Sequence, residues 1–490
     1  MGCVVHFDAA PHRYYDWIER MASQQQPSVT GGTVASVPKA RAAAPRPMPS
    51  PPPGSPPEDA WESHPIRKIS LYFCLATLFL RLSVLPEIIL SVTHVNTYLL
   101  YIAAPPAILS ALLMGSVRRT FQARAAFYWM AFFAWMVLAT PFSSWQGGSA
   151  ARVFSYARVD GIFLVLVGGM AVTWNEVRSI FRTFAAAAVV NLASARIFQH
   201  VDNGRISLQS SGTIGNSNDL AAHLLLMLPF LMFFMIGKGR PIVVRIAMFG
   251  LMMYGLWIIL GTASRGALIA LVVVFLYIFF HASLPQKFIL VVAACAIALV
   301  AIASLPARTL NRLSTLFGGT DVEAIESAES REYLFKTSVK YTFEHPLFGV
   351  GPDQFSSFEG KSSMAQGEHG TWHATHCAFT QVSSECGIPA FIFFTAGIVS
   401  ALLLVVRTYR KAKREGFVEI ANGCYCYLLS MTGYMGALIF LADAYTFHLP
   451  AMVGFAISIS LGAARTMQSG PVQPAPIPAA PVLQRVARRG

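Results

Sequence analysis

Long uninterrupted apolar runs constrain this chain more than any other feature of its sequence. The runs 242–260, 267–280 and 390–406 are examples, and roughly 20 such residues suffice to cross a bilayer as a helix. Of the 490 residues, 54% are hydrophobic and only 12% are charged, whereas about a quarter are charged in an average soluble domain. The sequence therefore predicts an all-α, polytopic integral membrane protein and excludes an ordinary soluble enzyme.

Hydropathy predicts about twelve transmembrane helices, and an even count puts both termini on the same side of the membrane. The predicted spans lie near 69–88, 97–114, 125–141, 159–175, 179–197, 219–236, 242–260, 265–281, 287–305, 388–406, 421–441 and 447–464. Basic residues agree with this count, because short cytoplasmic loops collect Lys and Arg. The basic cluster at 407–414 marks one cytoplasmic loop, whereas 89–96 and 442–447, on the opposite side, contain neither residue.

The rest of the chain divides around this transmembrane domain of residues 63–465. A proline-rich cytoplasmic tail, 1–62, and a basic C-terminal tail, 466–490, lack apolar periodicity and are predicted to be disordered. One long loop, 306–377, lies on the outer, periplasmic side and is predicted to carry functional residues, since loops of that length usually have a role. The apolar residues of 334–343 recur at helical spacing, which predicts an amphipathic helix within this loop.

The formal net charge of +13 is compatible with nucleic acid, anionic lipid or phosphate-bearing partners. Because no nucleic-acid-binding motif accompanies the charge, and much of it flanks the apolar runs, we expect membrane lipids and no nucleic acid as partners. The seven cysteines lie mostly in apolar segments without paired metal spacing, and they predict neither a disulfide framework nor a zinc site.

The first polar stretch with candidate functional residues runs from Arg205 to Asp219, directly before an apolar helix. Asn218 or Asp219 is the expected N-cap of that helix. A helix N-terminus beside an arginine can hold an anionic group. A capped turn with a solvated arginine fits the local sequence equally well.

The second stretch, 262–266, places Arg265 where one span ends and the next begins. Its guanidinium can either extend to the membrane interface or bind phosphate oxygens through two hydrogen bonds. These interpretations have equal weight on the local sequence.

The third stretch ends the long loop. It contains the segment 345–355 and three histidines within eight residues: His369, His373 and His376. Histidine can take up a proton near neutral pH, so it is a candidate general base. A structural role is commoner for a single histidine, and three within eight residues improve the odds of a general base. On one helix the outer two would be about 10 Å apart, which excludes a helical three-histidine metal site. Asp443 and His448, in the last outer loop, are reserve candidates for acid–base chemistry.

Taken in order, these stretches resemble the motifs of the O-antigen ligase and polymerase superfamily of bacterial inner-membrane glycosyltransferases. The segment 211–221 resembles its Gly-Asn-Pro-Asn-x-Leu-Ala motif, and 264–266 resembles its Ser-Arg-Gly. The segment 331–387, with His-Pro-Leu-Phe-Gly-Val-Gly-Pro at its centre, resembles the outer-loop signature. The sequence departs from these motifs at Ser217, in the usual proline position, and at Cys377, where Asn is frequent.

The resemblance implies transfer of a glycan from an undecaprenyl-pyrophosphate carrier to a sugar hydroxyl of lipid A core, at the periplasmic face of the inner membrane. His376 is then the general base, and Arg265 is the second catalytic residue. The implied substrate-binding residues are Arg205, Arg331, His373 and Asn218. No cofactor is implied, and no metal ion, since the arginines take its place.

Two alternatives remain. The acceptor can instead be another lipid-linked glycan, which would make the protein a polymerase of O-antigen or exopolysaccharide. A transporter of lipid-linked oligosaccharide is an alternative of another class, because twelve spans with buried polar groups also suit alternating access. Transporters usually have internal repeats and interrupted helices, and the sequence indicates neither.

Overall fold

Most residues of the computed structural model are α-helical, which confirms the predicted all-α membrane fold. The structure describes residues 65–208, 214–237, 239–315, 322–367 and 370–468. The predicted tail 1–62 and most of 466–490 lie outside these residues.

A short β-hairpin divides the helices of the chain into two sets. Before it come α1 (Pro65–Leu82), α2 (Leu85–Thr93), α3 (Leu99–Leu113), α4 (Ser116–Thr120), α5 (Arg124–Ala139), α6 (Gln146–Ser155), α7 (Phe163–Gly168) and α8 (Trp174–Phe198). The hairpin is β1 (Gln199–Asp202) and β2 (Arg205–Leu208). After it come α9 (Ser217–Ile236), α10 (Ile242–Gly261), α11 (Arg265–His281), α12 (Leu284–Ser304), α13 (Ala307–Ser314), α14 (Val322–Glu344), α15 (Phe355–Ala365), α16 (Ala378–Arg414), α17 (Val418–Leu438) and α18 (His448–Gln468).

Seven helices of the described chain are long and apolar enough to cross a membrane, and the bent pair α1 and α2 raises that number to eight. The bend between the two helices of that pair is 55°. Two further apolar helices, α3 and α11, are shorter. Eleven of the twelve predicted spans coincide with a helix or with this bent pair.

The span predicted at 159–175 is interrupted in the structure. A π-helical turn, Tyr156–Gly161, leads into α7, which has only six residues and ends at Gly168. A side chain on Gly169 would collide with the carbonyl of Ser116. The glycines therefore let the backbone of this segment pack directly against α4. As a result, the helix ends before the apolar run does, earlier than hydropathy predicts.

Burial divides the bundle into inner and peripheral helices. In α9 and α18, 72% of the apolar window is buried inside the protein, whereas in α12 only 6% is. The exposed side chains of α12 include Phe288, Ile289 and Leu299, and such a surface suits hydrocarbon rather than water. The inner helices therefore set the positions of the polar groups at their ends.

The long loop folds into helices, and α14 contains the predicted amphipathic segment 334–343. Leu334 is fully buried and forms a small separate core with Tyr341, Val350 and Phe355. This segment therefore has an apolar core of its own.

Candidate active site

The β-hairpin fixes Arg205 where the N-terminus of α9 meets the turn between α10 and α11. Its turn residues, Asn203 and Gly204, both have positive φ, as a tight hairpin turn requires. The Arg205 guanidinium donates to the Thr262 carbonyl (3.1 Å) and to Oδ1 of Asn218 (2.8 Å). Arg205 and Asn218, predicted as neighbours in a site, are therefore in direct contact.

The N-terminus of α9 is capped by a residue that the sequence interpretation missed. The side chain of Asn216 accepts hydrogen bonds from the backbone N–H groups of Asn218 and Asp219. The expectation that Asn218 or Asp219 is the N-cap was wrong. Because the cap lies one residue before the helix, the Asn218 side chain remains available to Arg205.

A strained turn presents Arg265 between α10 and α11. Ala263 has a φ of 49°, which is unfavourable for a residue with a side chain, and the hydroxyl of Ser264 caps α11. The next glycine, Gly266, packs so closely on Phe440 that a Cβ atom there would meet its ring. Arg265 is thus held on a turn with little freedom to move.

Three separate motifs line one narrow crevice, which we call the central crevice. Its polar lining comes from Asn218 of α9, Ser264 of the α10–α11 turn and Arg331 of α14, and Gly266 and Phe440 also line it. Residues more than 100 positions apart in the chain therefore meet where α9 and α11 begin and α17 ends.

Positive charge accumulates beside this crevice. Burial lowers the pKa of Arg331, and the nearby charges of Arg265 and Arg312 lower it further. Arg312 forms an ion pair with Glu323 at 3.6 Å, which offsets part of that charge. Several guanidinium groups at the mouth of one crevice favour a polyanionic ligand, and arginine suits phosphate oxygens in particular.

His376 lies within the electrostatic reach of this cluster. Burial is the largest cause that lowers its pKa to about 4, followed by the charges of Arg331 and His373. The imidazole of His376 is therefore neutral at pH 7 and able to accept a proton. His376 also has a φ of 52°, a backbone strain of the kind that clusters at functional sites. His373 is exposed beside it, and His369 lies outside the described residues.

Glu359 of α15, which the sequence did not single out, holds the backbone that leads to these histidines. Its buried carboxylate accepts hydrogen bonds from the N–H groups of Thr371 and Trp372 (3.1 and 3.0 Å) and from the Thr371 hydroxyl (2.9 Å). Burial opposes its charge, yet these donors lower its pKa overall, so it is ionised at neutral pH. No local pattern reveals this role, since the carboxylate and its partners lie 12 or 13 residues apart.

The segment 345–355 docks onto a kink in α16. Gly387 has a φ of 84°, and a side chain there would collide with the Leu347 carbonyl. The N–H groups of Val350 and Gly351 donate to the carbonyls of Ser384 and Glu385 (both 2.9 Å). This docking fixes one end of α15 and hence the position of Glu359.

The two reserve candidates have different surroundings. Burial and neighbouring Asp219 raise the pKa of Asp443 to about 7, and Asp219 in turn lies near Arg205. His448, by contrast, is buried in an internal network. Its Nε2 atom is 2.9 Å from Nδ1 of His223, whose Nε2 atom lies 2.9 Å from the Leu82 carbonyl.

The described residues contain no group of three or more His, Cys, Asp or Glu side chains placed to hold a metal ion. The fold is that of a polytopic α-helical membrane protein, and several arginines lie in or near one narrow crevice. Residues 250–395 match the sequence model of the O-antigen ligase family. This match, over about 30% of the chain, supports the resemblance of its motifs to those of the O-antigen ligase and polymerase superfamily. The curated proteins contain no match to the chain.

The matched region runs from α10 into α16 and includes Arg265, Arg331 and His376. Arg205 and Asn218 precede it. The contact of these two residues with the α10–α11 turn therefore adds a part of the site that the family match does not cover.

Proposed function

We propose that the chain transfers a glycan from undecaprenyl pyrophosphate to a sugar hydroxyl at the periplasmic face of the bacterial inner membrane, as an O-antigen ligase. The convergence of Arg265, Arg331 and His376 beside the central crevice is the observation that carries this proposal. The family match supports, at a coarser level, a transferase of lipid-linked glycans.

The arginines act on the leaving group. As the bond between the anomeric carbon and the pyrophosphate oxygen breaks, that oxygen keeps the electron pair and gains negative charge. Arg265 and Arg205 stabilise this charge, and Arg331 orients the donor. Preorganised cations are effective here because they need little rearrangement during the reaction. Asn218 holds Arg205 in place through the 2.8 Å hydrogen bond and contributes a polar group to the crevice.

His376 acts on the acceptor. The acceptor oxygen attacks the anomeric carbon, and its proton passes to the neutral ring nitrogen of His376. A bound pyrophosphate offsets the charge of Arg331, which raises the proton affinity of the imidazole in the substrate complex. Exposed His373 assists by binding the acceptor or donor at the entrance.

A transfer assay with reconstituted protein tests this role. His376→Gln should reduce the rate by about 10²- to 10⁴-fold, the usual contribution of a general base, while the melting temperature stays unchanged. His200→Gln is the matched control, since His200 is exposed on the hairpin that carries Arg205. Full activity of His376→Gln would refute the assignment. With defined acceptors, ladders of growing chains without any product on lipid A core would favour the polymerase.

One observation favours the transporter as a second candidate. The span interrupted at 156–168 lies beside buried polar contacts, among them Arg81 with Asp160 at 3.4 Å and the His223–His448 pair. Interrupted helices near buried polar groups are common in transporters. In proteoliposomes, movement of lipid-linked glycan that depends on His223 and not on His376, with no glycan transfer, would establish transport instead.

A further inference from the structure

A second cationic cavity lies at the opposite ends of the helices that form the central crevice. We call it the arginine cavity; it has a volume of about 370 Å³ and is lined by Arg178, Arg182, Arg240 and Glu419, among others. It adjoins the end of α9 near Gly237, whereas Asn218 lies at the other end of that helix. The 20 residues of α9 span about 30 Å, so the arginine cavity lies near the other surface of the bilayer.

The arginine cavity has more positive than negative charge. Among the described residues that line it, Glu419 is the only carboxylate, and Arg178 donates to both of its oxygens at 2.7 and 2.8 Å. Within the described residues, Arg182 and Arg240 form no ion pair with a carboxylate. The guanidinium of Arg240 lies 5.3 Å from the ring centre of Phe234, which holds it in place. The positive charges of Arg182, which is exposed, and of Arg240 thus remain for a ligand.

An apolar groove continues from this cavity. It has a volume of about 690 Å³ and shares Val418 and Asn422 with the arginine cavity. Its walls are mainly apolar and include Met232, Ile278 and Leu290 from α9, α11 and α12. A ligand that spans both spaces needs an anionic head and a hydrocarbon tail.

We propose that the arginine cavity and this groove bind one anionic phospholipid of the bilayer. The phosphate diester contacts Arg182 and Arg240, and one acyl chain lies in the groove. Arginine forms paired hydrogen bonds with phosphate oxygens. Phosphatidylglycerol suits the cavity better than phosphatidylcholine, because the choline ammonium would bring a third positive charge to it. The bound lipid would join the ends of α9 and α17, whose opposite ends reach the central crevice.

Native mass spectrometry of the full-length, delipidated protein, titrated with phosphatidylglycerol or phosphatidylcholine, tests the proposal. We expect one tightly held phosphatidylglycerol and about thirtyfold weaker binding in Arg182→Gln/Arg240→Gln, the effect expected from removing two arginines that face an anionic headgroup. Arg407→Gln/Arg410→Gln removes the same charge from two exposed residues that line neither space, and it should bind as the wild type does. Arg182→Lys/Arg240→Lys keeps the charge and should retain most of the binding.

Three results would overturn the proposal. Equal affinity for phosphatidylcholine and phosphatidylglycerol would show that the arginines do not select an anionic headgroup. Equally weakened lipid binding in both Gln double variants would show that only the general surface charge matters. Full competition by inorganic phosphate at the lipid's own concentration would show an anion site without a role for the groove. Because the readout is lipid binding, its outcome is independent of glycan transfer.

Discussion

Replacing Arg331 by glutamine should shift the acidic limb of the pH–rate profile for glycan transfer to higher pH. Three causes together bring the pKa of His376 from its ordinary 6.5 to about 4: burial first, then Arg331, then His373. Since burial is the largest, Arg331 accounts for less than half of that interval. The limb of the variant should therefore rise and yet remain closer to pH 4 than to pH 6.5.

The direction follows from the protonation state that catalysis needs. The base is active when neutral, so activity is present above the pKa of His376 and is lost as the pH falls through it. Without Arg331 the charged imidazole is less destabilised, and this loss begins at a higher pH. In the wild type, the acidic limb of the kcat/KM profile reports the pKa of His376 in the free enzyme, and the acidic limb of the kcat profile reports its pKa in the substrate complex. The kcat limb should lie at a higher pH than the kcat/KM limb, because bound pyrophosphate offsets the positive charge of Arg331.

The assay is the initial rate of glycan transfer against pH, at limiting and at saturating donor. Lys340→Gln is the matched control, since Lys340 is an exposed cation on the same helix. Simple loss of donor binding in Arg331→Gln would raise KM and leave the limb in place. An unchanged limb in that variant, or a wild-type limb near pH 6.5, would refute the electrostatic coupling.

Three further predictions concern the same site. Arg265→Lys keeps the charge but loses the paired hydrogen bonds, so transfer should fall about ten- to a hundredfold; full activity in the rate assay would exclude paired recognition. Glu359→Gln should lower kcat with little effect on KM and speed hydrogen exchange at Thr371 and Trp372, because a neutral amide oxygen accepts their N–H groups more weakly than the charged Oε2 of Glu359; unchanged exchange would mean that Glu359 does not hold this segment. Protein stripped of divalent ions should keep its transfer activity, and activity that returns only with Mg²⁺ or Mn²⁺ would contradict a purely arginine-based site.

The sequence indicated the parts of the fold and site that depend on local patterns. Apolar runs predicted most of the helices. The Ser-Arg-Gly segment and the histidines before α16 were singled out from local patterns, and the structure places Arg265 and His376 near Arg331, which lines the central crevice; their roles stay predictions. Hydropathy did not reveal the early end of α7, because that end depends on the close approach of Gly169 to Ser116.

Contacts between residues far apart in the chain could not be predicted from the sequence for a similar reason. Glu359 is an ordinary carboxylate in a polar loop until the fold brings it under Thr371 and Trp372. The Asn216 cap was missed because the four consecutive polar residues 216–219 at that helix start are all acceptable caps, and only the backbone geometry selects one. The hairpin carrying Arg205 was also missed, although the Asn203-Gly204 pair is a recognised turn signal.

A structure of the protein with undecaprenyl pyrophosphate bound tests the central claim most directly. We expect the pyrophosphate at the central crevice, within hydrogen-bonding distance of Arg265 and Arg331, with the space for an acceptor hydroxyl beside His376. A pyrophosphate seated instead in the arginine cavity, about 30 Å away at the other end of α9, would contradict the proposed reaction.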